Sequence, residues 1–319
     1  MTTQMMQAVR VHQFGGPEVL QLEKLPIPEP SSNEVLIHVY ATGVLPVDWG
    51  YRQGLMQKYV SMQLPFITGS AVSGVIEEVG SNVTGFQKGQ AVFGRANNGA
   101  CAEYITTTVE AIAHQPQNLS FTEAATISGG ATTAWMALFE HGNLQSGQRV
   151  LVHAAAGGVG SFAVQLAKWK GAEVIGTCST VNVDYVKSLG VDTVIDYQTT
   201  LFEDIVQDVD LVLDAVGGET LERSWSVLKR GGTLLSLVDI PSDKRAKPLG
   251  IHARFSNELA PNKVFQKIAQ LIADGEVKAT IAKEFPLHEI RQAQELCQTG
   301  HGRGRIVLRV GDKNLKGIL

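Results

Sequence analysis

The sequence is poor in cysteine: Cys101, Cys178 and Cys297 lie far apart, with no C-x-x-C pair. That excludes a disulfide framework and a thiolate zinc cluster, and it suits a reducing compartment. Basic clusters are almost absent. None exceeds "DKRAK" (Asp243 to Lys247) or "RGR" (Arg303 to Arg305), and the net charge is −4, so the chain offers no nucleic-acid surface. No run of about 18 uninterrupted apolar residues occurs, and the N-terminal "MTTQMMQAVRVHQFGG" has no basic start leading into an apolar stretch. A soluble, cytoplasmic protein without a membrane partner is expected. Repeats and low-complexity tracts are missing too. Apolar residues (44% against 18% charged) and 33 glycines in 319 residues are what the chain has in quantity. They describe a well-packed globular chain of about two domains with many tight turns.

The first third alternates short β-rich runs with turns: "QAVRVHQF", "EVLIHVYATGV", "VSGVIEEVG", "QAVFG" and "CAEYITTTVEAIAHQP". Period-two patterning and turn signals such as "FGGPEV" predict a compact, mostly antiparallel β domain. At "SFTEAATISGGATTAWMALFE" the spacing becomes helical, with Ser120 as N-cap and Glu123 three residues on, a capping box. From Gly147 to about Gly250, strands and helices alternate. Helices are predicted over 159–170 and around 183–189, 201–206 and 220–228, between strands such as "QRVLVHA", "EVIGTC", "TVIDY", "DLVLDAVG" and "GTLLSLVD". Continuous Val/Ile/Leu runs imply strands covered on both faces, hence an α/β doubly wound parallel sheet. The tail reads as helix 262–273, a strand near "ATIAKEF", helix "HEIRQAQELCQT" and strand "GRIVLRV". Its elements could extend the parallel sheet or return to the first domain.

The stretch "VLVHAAAGGVGSF" (Val150 to Phe162) places a glycine cluster between a strand and a helix. Against the dinucleotide pattern G-x-G-x-x-G it offers Ala155, Ala156, Gly157, Gly158, Val159 and Gly160, with alanine replacing the first glycine. Gly157 lets the backbone approach a pyrophosphate, Gly160 lets helix and strand pack closely, and the helix N-terminus presents N–H groups to the anion. His153 beside the loop reads as a packed histidine and not a base. An NAD site usually has an acidic residue about 20 positions on, at the end of the second strand. Here that strand ends "GTCSTVN" (Gly176 to Asn182), with no carboxylate before Asp184. A carboxylate there would repel a 2′-phosphate by roughly 4 kcal/mol at about 4 Å and an effective dielectric near 20. Its absence permits NADP(H), although Ser179, Thr180 and Asn182 are the only donors the loop itself offers.

Those segments, together with "EVLIHVYATGVLPVDWGYRQG", "PFITGSAVSGVIEEVGSNVTGFQKGQAVFG", "VKSLGVDTVIDY", "DLVLDAVGGET" and "GRGRIVLRV", resemble a medium-chain dehydrogenase/reductase of the zinc-independent quinone oxidoreductase branch, the ζ-crystallin-like proteins. The resemblance covers nearly the whole chain. It implies a GroES-like, mostly-β catalytic domain (residues 1–121, completed by 262–319) and a Rossmann NADP-binding domain (122–261). It also implies hydride transfer from NADPH to a quinone, or to the alkene of an α,β-unsaturated carbonyl, usually in a homodimer. It further implies cofactor contacts from Ala156, Gly157, Gly158 and Val159 on the pyrophosphate. Ser179 and Asn182 would meet the 2′-phosphate, and Tyr197 the adenosine. Pro46, Thr133, Val216, Gly217 and Leu237 would lie near the nicotinamide, with Arg305 closing over the cofactor from the tail.

Several positions depart from that family. The zinc-dependent relatives' catalytic Cys falls at Leu45 and their His-Glu pair at Ser70 and Ala71, none of which can ligate zinc, so no metal is expected. Many members of the zinc-independent branch carry Asn at Leu45 and Tyr or Lys at Gly50. Asp48 and Tyr51 are the remaining catalytic candidates. Asp48 is read either as holding the loop or the nicotinamide ribose or as capping a following turn at 49–52, and Tyr51, one residue from the usual tyrosine, as pointing elsewhere in strand or turn geometry. Leu45, Trp49, Tyr51, Phe66 and Phe255 are candidates to line an apolar substrate site. The leading expectation is an NADPH-dependent quinone reductase. An enone or 2-alkenal reductase and a catalytically weak NADPH-binding sensor or structural protein stand as alternatives.

Overall fold

The computed structural model describes residues 4–310; the outer ends of the expected domain ranges, 1–3 and 311–319, lie outside the described residues. In the first unit, β1 (Met5–Val11) pairs antiparallel with β2 (Leu20–Pro26). β3 (Glu34–Val44) is buried along most of its eleven residues and leads into helix α1 (Pro46–Arg52). β4 (Phe66–Ile67) joins β1, and β5 (Ala71–Val79), β6 (Ala91–Arg95), β7 (Tyr104–Thr108) and β8 (Ile112–His114) follow. The burial of β3 follows from its position, since β5, β7 and a strand from the chain's end all pair with it.

Helix α2 (Phe121–Ala124) has the predicted capping box, with Ser120 accepting from the Glu123 N–H and Glu123 accepting from the Ser120 N–H. The long helix expected to follow is broken: Ser128 is extended (ψ 129°) and Gly129 is left-handed (φ 69°), before α3 (Thr132–Trp135) resumes. The helical spacing was right for the flanks. The glycine pair inside it supplied the break.

The second unit alternates as expected: β9 (Arg149–Val152), α4 (Gly160–Lys170), β10 (Glu173–Cys178), α5 (Val183–Ser188), β11 (Thr193–Asp196), β12 (Val209–Asp214), α6 (Gly218–Ser224), β13 (Leu228–Ser236), α7 (Asp243–Leu249) and β14 (His252–Phe255). The helix expected at 201–206 is only a single tight turn at 202–204. All six strands are parallel, in the order β11-β10-β9-β12-β13-β14. Both faces are covered. Val150 and Val152 of β9 point into one core with Phe162 and Leu213, and Leu151 points into the opposite one with Val212 and Phe202. Continuous apolar runs are the sequence form of such two-sided burial.

The tail supplies α8 (Asn262–Ala273), β15 (Ile281–Pro286), α9 (Ile290–Gln298) and β16 (Arg305–Arg309). It returns to the first unit, giving a seven-stranded sheet β15-β16-β3-β5-β6-β8 with β7 also on β3. The chain therefore combines a mostly antiparallel β domain with a doubly wound parallel sheet, as expected.

Buried Arg52 fastens the first unit to the tail. Its guanidinium is fully buried and donates to the Gly15 carbonyl (2.7 Å), Gln294 Oε1 (2.7 Å) and Gln298 Oε1 (3.0 Å). Arg52→Met should cost about 2–4 kcal/mol, because two glutamine amides on α9 and one carbonyl lose their donor inside the protein. Urea unfolding measures this, and a loss below about 0.5 kcal/mol, the range of ordinary surface substitutions, would contradict it.

Candidate active site

The glycine loop leaves β9 at the carboxyl edge of the parallel sheet, where the strand order reverses between β9 and β12. Open α/β sheets bind ligands at such a switch point. Ala154 takes a left-handed conformation (φ 54°) that turns the chain, and Gly157 N–H closes the turn on the Ala154 carbonyl at 2.9 Å. A β-carbon on Gly160 would run into that same carbonyl, so only glycine lets α4 start this close to the turn. In the first turn of α4, Ser161 N–H donates to the Gly157 carbonyl at 3.0 Å and Ala163 N–H to the Val159 carbonyl at 2.9 Å, so the helix starts directly from the loop with its positive dipole end toward it.

The tail closes this loop from above. Gly304 forms a parallel backbone bridge with Gly157, and its N–H donates to the Ala156 carbonyl at 2.9 Å. The next residue, Arg305, is 5% exposed, so it is not the solvated charge that a strand-start arginine could have been. Its guanidinium donates to the Gly129 carbonyl and packs over Gly158, where a β-carbon would sit 2.9 Å from Arg305 Cδ and Nε. Burial pushes the Arg305 pKa down to about 10, still cationic at neutral pH, and its Nε is buried with no partner. A buried cation with an unpaired donor beside helix N–H groups is a cradle for a pyrophosphate, so these residues fit a dinucleotide.

The first unit meets this junction through the start of α1. Leu45 is 6% exposed and packs beneath Gly129, where a β-carbon would come within 2.6 Å of Leu45 Cδ1. Asp48 does not cap the turn that follows it. It stands third in α1 and accepts the Leu45 N–H at 2.8 Å, closing the helix start behind it. Burial raises its carboxyl to about 7, although the Leu45 N–H, Arg305 and the Ser70 hydroxyl all draw it down. Tyr51 lies in α1, not in the expected strand or turn, because Pro46 at the first helical position and Asp48 at the third favour a helix there. Ala71 is fully buried in β5. Among the described residues no group of three or more His, Cys, Asp or Glu is arranged to hold a metal.

The remaining sequence candidates fall mostly on one edge. Ser179 and Asn182 follow β10, Tyr197 follows β11, Val216 and Gly217 follow β12, and Leu237 follows β13. Thr133 is in α3, and Pro46 is exposed at the start of α1. The signal missed in the sequence is Asp214, the last residue of β12. It is fully buried and accepts the N–H groups of Val216 (3.0 Å) and Gly217 (3.0 Å) and the Ser236 hydroxyl (2.9 Å). It shapes the "DAVGG" loop and ties it to β13.

Phe255 ends β14, three strands from β9, or about 14 Å across the sheet at roughly 4.8 Å per strand. Phe66 packs with Val9, Val11 and Cys101 in the outer core of the first unit. Trp49 is partly buried in α1, with its indole Nε1 enclosed and unpartnered. His153 is held between the hydroxyls of Thr177 and Ser224 at 3.0 Å each, and burial, helped by Arg223, lowers its pKa to about 3. It is a neutral, fully engaged core histidine. A cavity of about 780 Å³ opens near Asn143, Asp210, Lys229 and His252, at the amino ends of the strands, and so has no part in the glycine-loop site.

Residues 31–141 match the alcohol dehydrogenase GroES-like domain, and 189–308 match the zinc-binding dehydrogenase family. The mouse (Mus musculus) quinone oxidoreductase is 33% identical over 326 aligned positions, spanning 95% of this chain and 98% of that protein. Among solved structures, the quinone oxidoreductase from Coxiella burnetii superposes with a TM-score of 0.90 at 34% identity, covering 97% of this chain and all of that one. The Escherichia coli quinone oxidoreductase complexed with NADPH gives 0.88 at 26% identity, over 95% of this chain and all of that one. The chain belongs to the quinone oxidoreductase family of medium-chain dehydrogenases/reductases.

Asp48 gives the junction a pH dependence with a definite sign. Its folded-state carboxyl titrates near 7 and its unfolded one near 4, so between those values the folded chain keeps a proton that the unfolded chain releases. The Asp48 contribution to stability therefore falls as pH rises through that window. In Asp48→Asn the unfolding free energy should fall less between about pH 5 and about pH 8 than in the wild type. Parallel pH profiles in urea titrations would show that Asp48 is not the source.

Proposed function

We propose that the chain is an NADPH-dependent reductase of quinones that works without zinc. The observation that carries this reading is the covered glycine loop, where Arg305 and the Gly304–Gly157 bridge meet an apolar Leu45 at the position of the relatives' zinc cysteine. The mouse, Coxiella and Escherichia coli relatives, each a quinone oxidoreductase by name, support it. In this reading Ala156, Gly157, Gly158, Val159 and Arg305 hold the pyrophosphate. Ser179, Asn182 and Tyr197 hold the phosphorylated adenosine, and Pro46, Thr133, Val216, Gly217 and Leu237 flank the nicotinamide. Bound NADPH supplies the hydride.

The chain's own part is positioning. Leu45, Trp49 and Tyr51, at and just before α1, shield the acceptor from water, while Phe255, three strands from β9, and Phe66, in the outer core of the first unit, lie away from it. Placing reacting atoms within about 3–3.5 Å in a dry cleft is worth more here than acid catalysis. Asp48 spends its carboxyl on the Leu45 N–H and the Ser70 hydroxyl, so it sets the pose of α1 and does not act as the proton donor. The thiols are not bases either, since burial pushes Cys297 up to about 11 and raises Cys101 well above the ordinary thiol range. A quinone suits this set: its reduced oxygens are stable anions that can take protons from water, whereas an enone needs more polarisation of its carbonyl.

Two further readings accompany it. The outer edge of β14, unpaired among the described residues, supports a homodimer. The three free thiols support a cytoplasmic location.

Steady-state assays with NADPH against 1,4-quinones, 2-alkenals and, in reverse, secondary alcohols with NADP⁺ test the proposal. Quinones should oxidise NADPH fastest, a zinc chelator should change nothing, and alcohols should be inert. Faster turnover of 2-alkenals would reassign the chain as an alkene reductase. NADPH binding without turnover of any acceptor would leave a cofactor-binding protein.

A further inference from the structure

The loop after β10 has no positive charge of its own, yet one is brought to it from 121 residues away. Arg303, two residues before the arginine that covers the pyrophosphate cradle, turns the other way. Its Nε donates to Asn182 Oδ1 at 2.8 Å, and its Nη2 donates to the Val181 carbonyl. The guanidinium stands 5.6 Å from the Tyr185 ring centroid, a cation–π contact that fixes its plane. Asn182, 8% exposed, in turn donates from Nδ2 to Ser179 Oγ at 3.1 Å. Arg303, Asn182 and Ser179 therefore form one hydrogen-bonded chain at the end of the second strand of the parallel sheet.

We infer that Arg303 is the residue that recognises the 2′-phosphate of NADP(H), and that it makes the chain prefer NADP over NAD. This rests on the dinucleotide reading of the glycine loop. In such folds the end of the second strand is where the adenine ribose is read, by an acid for a free 2′-hydroxyl and by a cation for a 2′-phosphate. Among the described residues Arg303 has no carboxylate partner, its Nη1 has no protein acceptor, and the Ser179 hydroxyl keeps its own proton to donate. The carboxylate that ends the neighbouring strand β11, Asp196, is already engaged by the Thr180 hydroxyl and the Gln198 N–H. Planar, pre-oriented and half satisfied by the loop it serves, the guanidinium can offer its remaining N–H edge to phosphate oxygens at little further entropic cost.

Calorimetric titration of the full chain with NADP⁺, with NAD⁺ and with the fragments 2′-phospho-AMP and AMP tests this without turnover. Arg303→Gln should weaken NADP⁺ and 2′-phospho-AMP by about 10- to 100-fold, the range for a lost charge-assisted hydrogen bond, with NAD⁺ and AMP changed less than about twofold. Arg303→Lys keeps the charge without the fork, and should fall between wild type and Gln for the phosphorylated ligands alone. It carries the test if Gln unfolds the tail, which thermal melting would reveal. Equal weakening of phosphorylated and unphosphorylated ligands would overturn the proposal, leaving Arg303 as a tie between tail and loop. So would an unchanged ratio. If wild type binds neither dinucleotide, the reading of the glycine loop fails first, and this assignment with it.

Discussion

The site depends on one crossing of backbone. Between α9 and β16 the chain leaves the Rossmann unit's glycine loop and enters the GroES-like sheet within two residues: Gly304 is bridged to Gly157, and Arg305 begins the strand that pairs with β3. Any motion that separates the units must break the Gly304 N–H bond to Ala156 and pull Arg305 from the Gly129 carbonyl. The crossing therefore sets how far α1 stands from the cradle. Three segments distant in sequence (45–48, 129 and 305) are locked to it by packing that leaves no room for a side chain on Gly129 or Gly158.

The electrostatics follow from the same crossing. Arg305 is buried as a cation with Asp48 as its nearest acid, and burial has raised that acid to about 7. The cation is thus only partly neutralised by protein. Burying an arginine with an unpaired Nε is costly unless an anion completes it, and a pyrophosphate at the α4 N-terminus would do so. At the position of the relatives' zinc cysteine, Leu45 is an apolar wedge under Gly129 that offers no metal ligand, and the Ser70 hydroxyl serves Asp48.

Periodic features were legible in the sequence. The parallel sheet could be read from its apolar runs, the capping box from Ser120 and Glu123, and the strand–glycine–helix unit from residues 150 to 170. Asp214 escaped notice because a carboxylate at a strand end has no periodic signature until its loop folds over it. Arg52 and Arg303 escaped because their partners lie 242 and 121 residues away, in segments joined only by the returning tail. The helix of Asp48 and Tyr51 was hidden inside a β-rich region, where seven residues are too few to establish a helical period. The tail's destination was open for the same reason: β16 reads as a buried strand in either sheet, and only its pairing with β3 decides.

The most direct measurement of the central claim is a crystal structure of the chain with NADP⁺ bound. The pyrophosphate should lie against Gly157 and Gly158 at the start of α4 with Arg305 over it, and the nicotinamide should extend toward Leu45. A dinucleotide seated elsewhere, such as in the cavity at the amino ends of the strands, or one that displaces Gly304 from Gly157, would contradict the account.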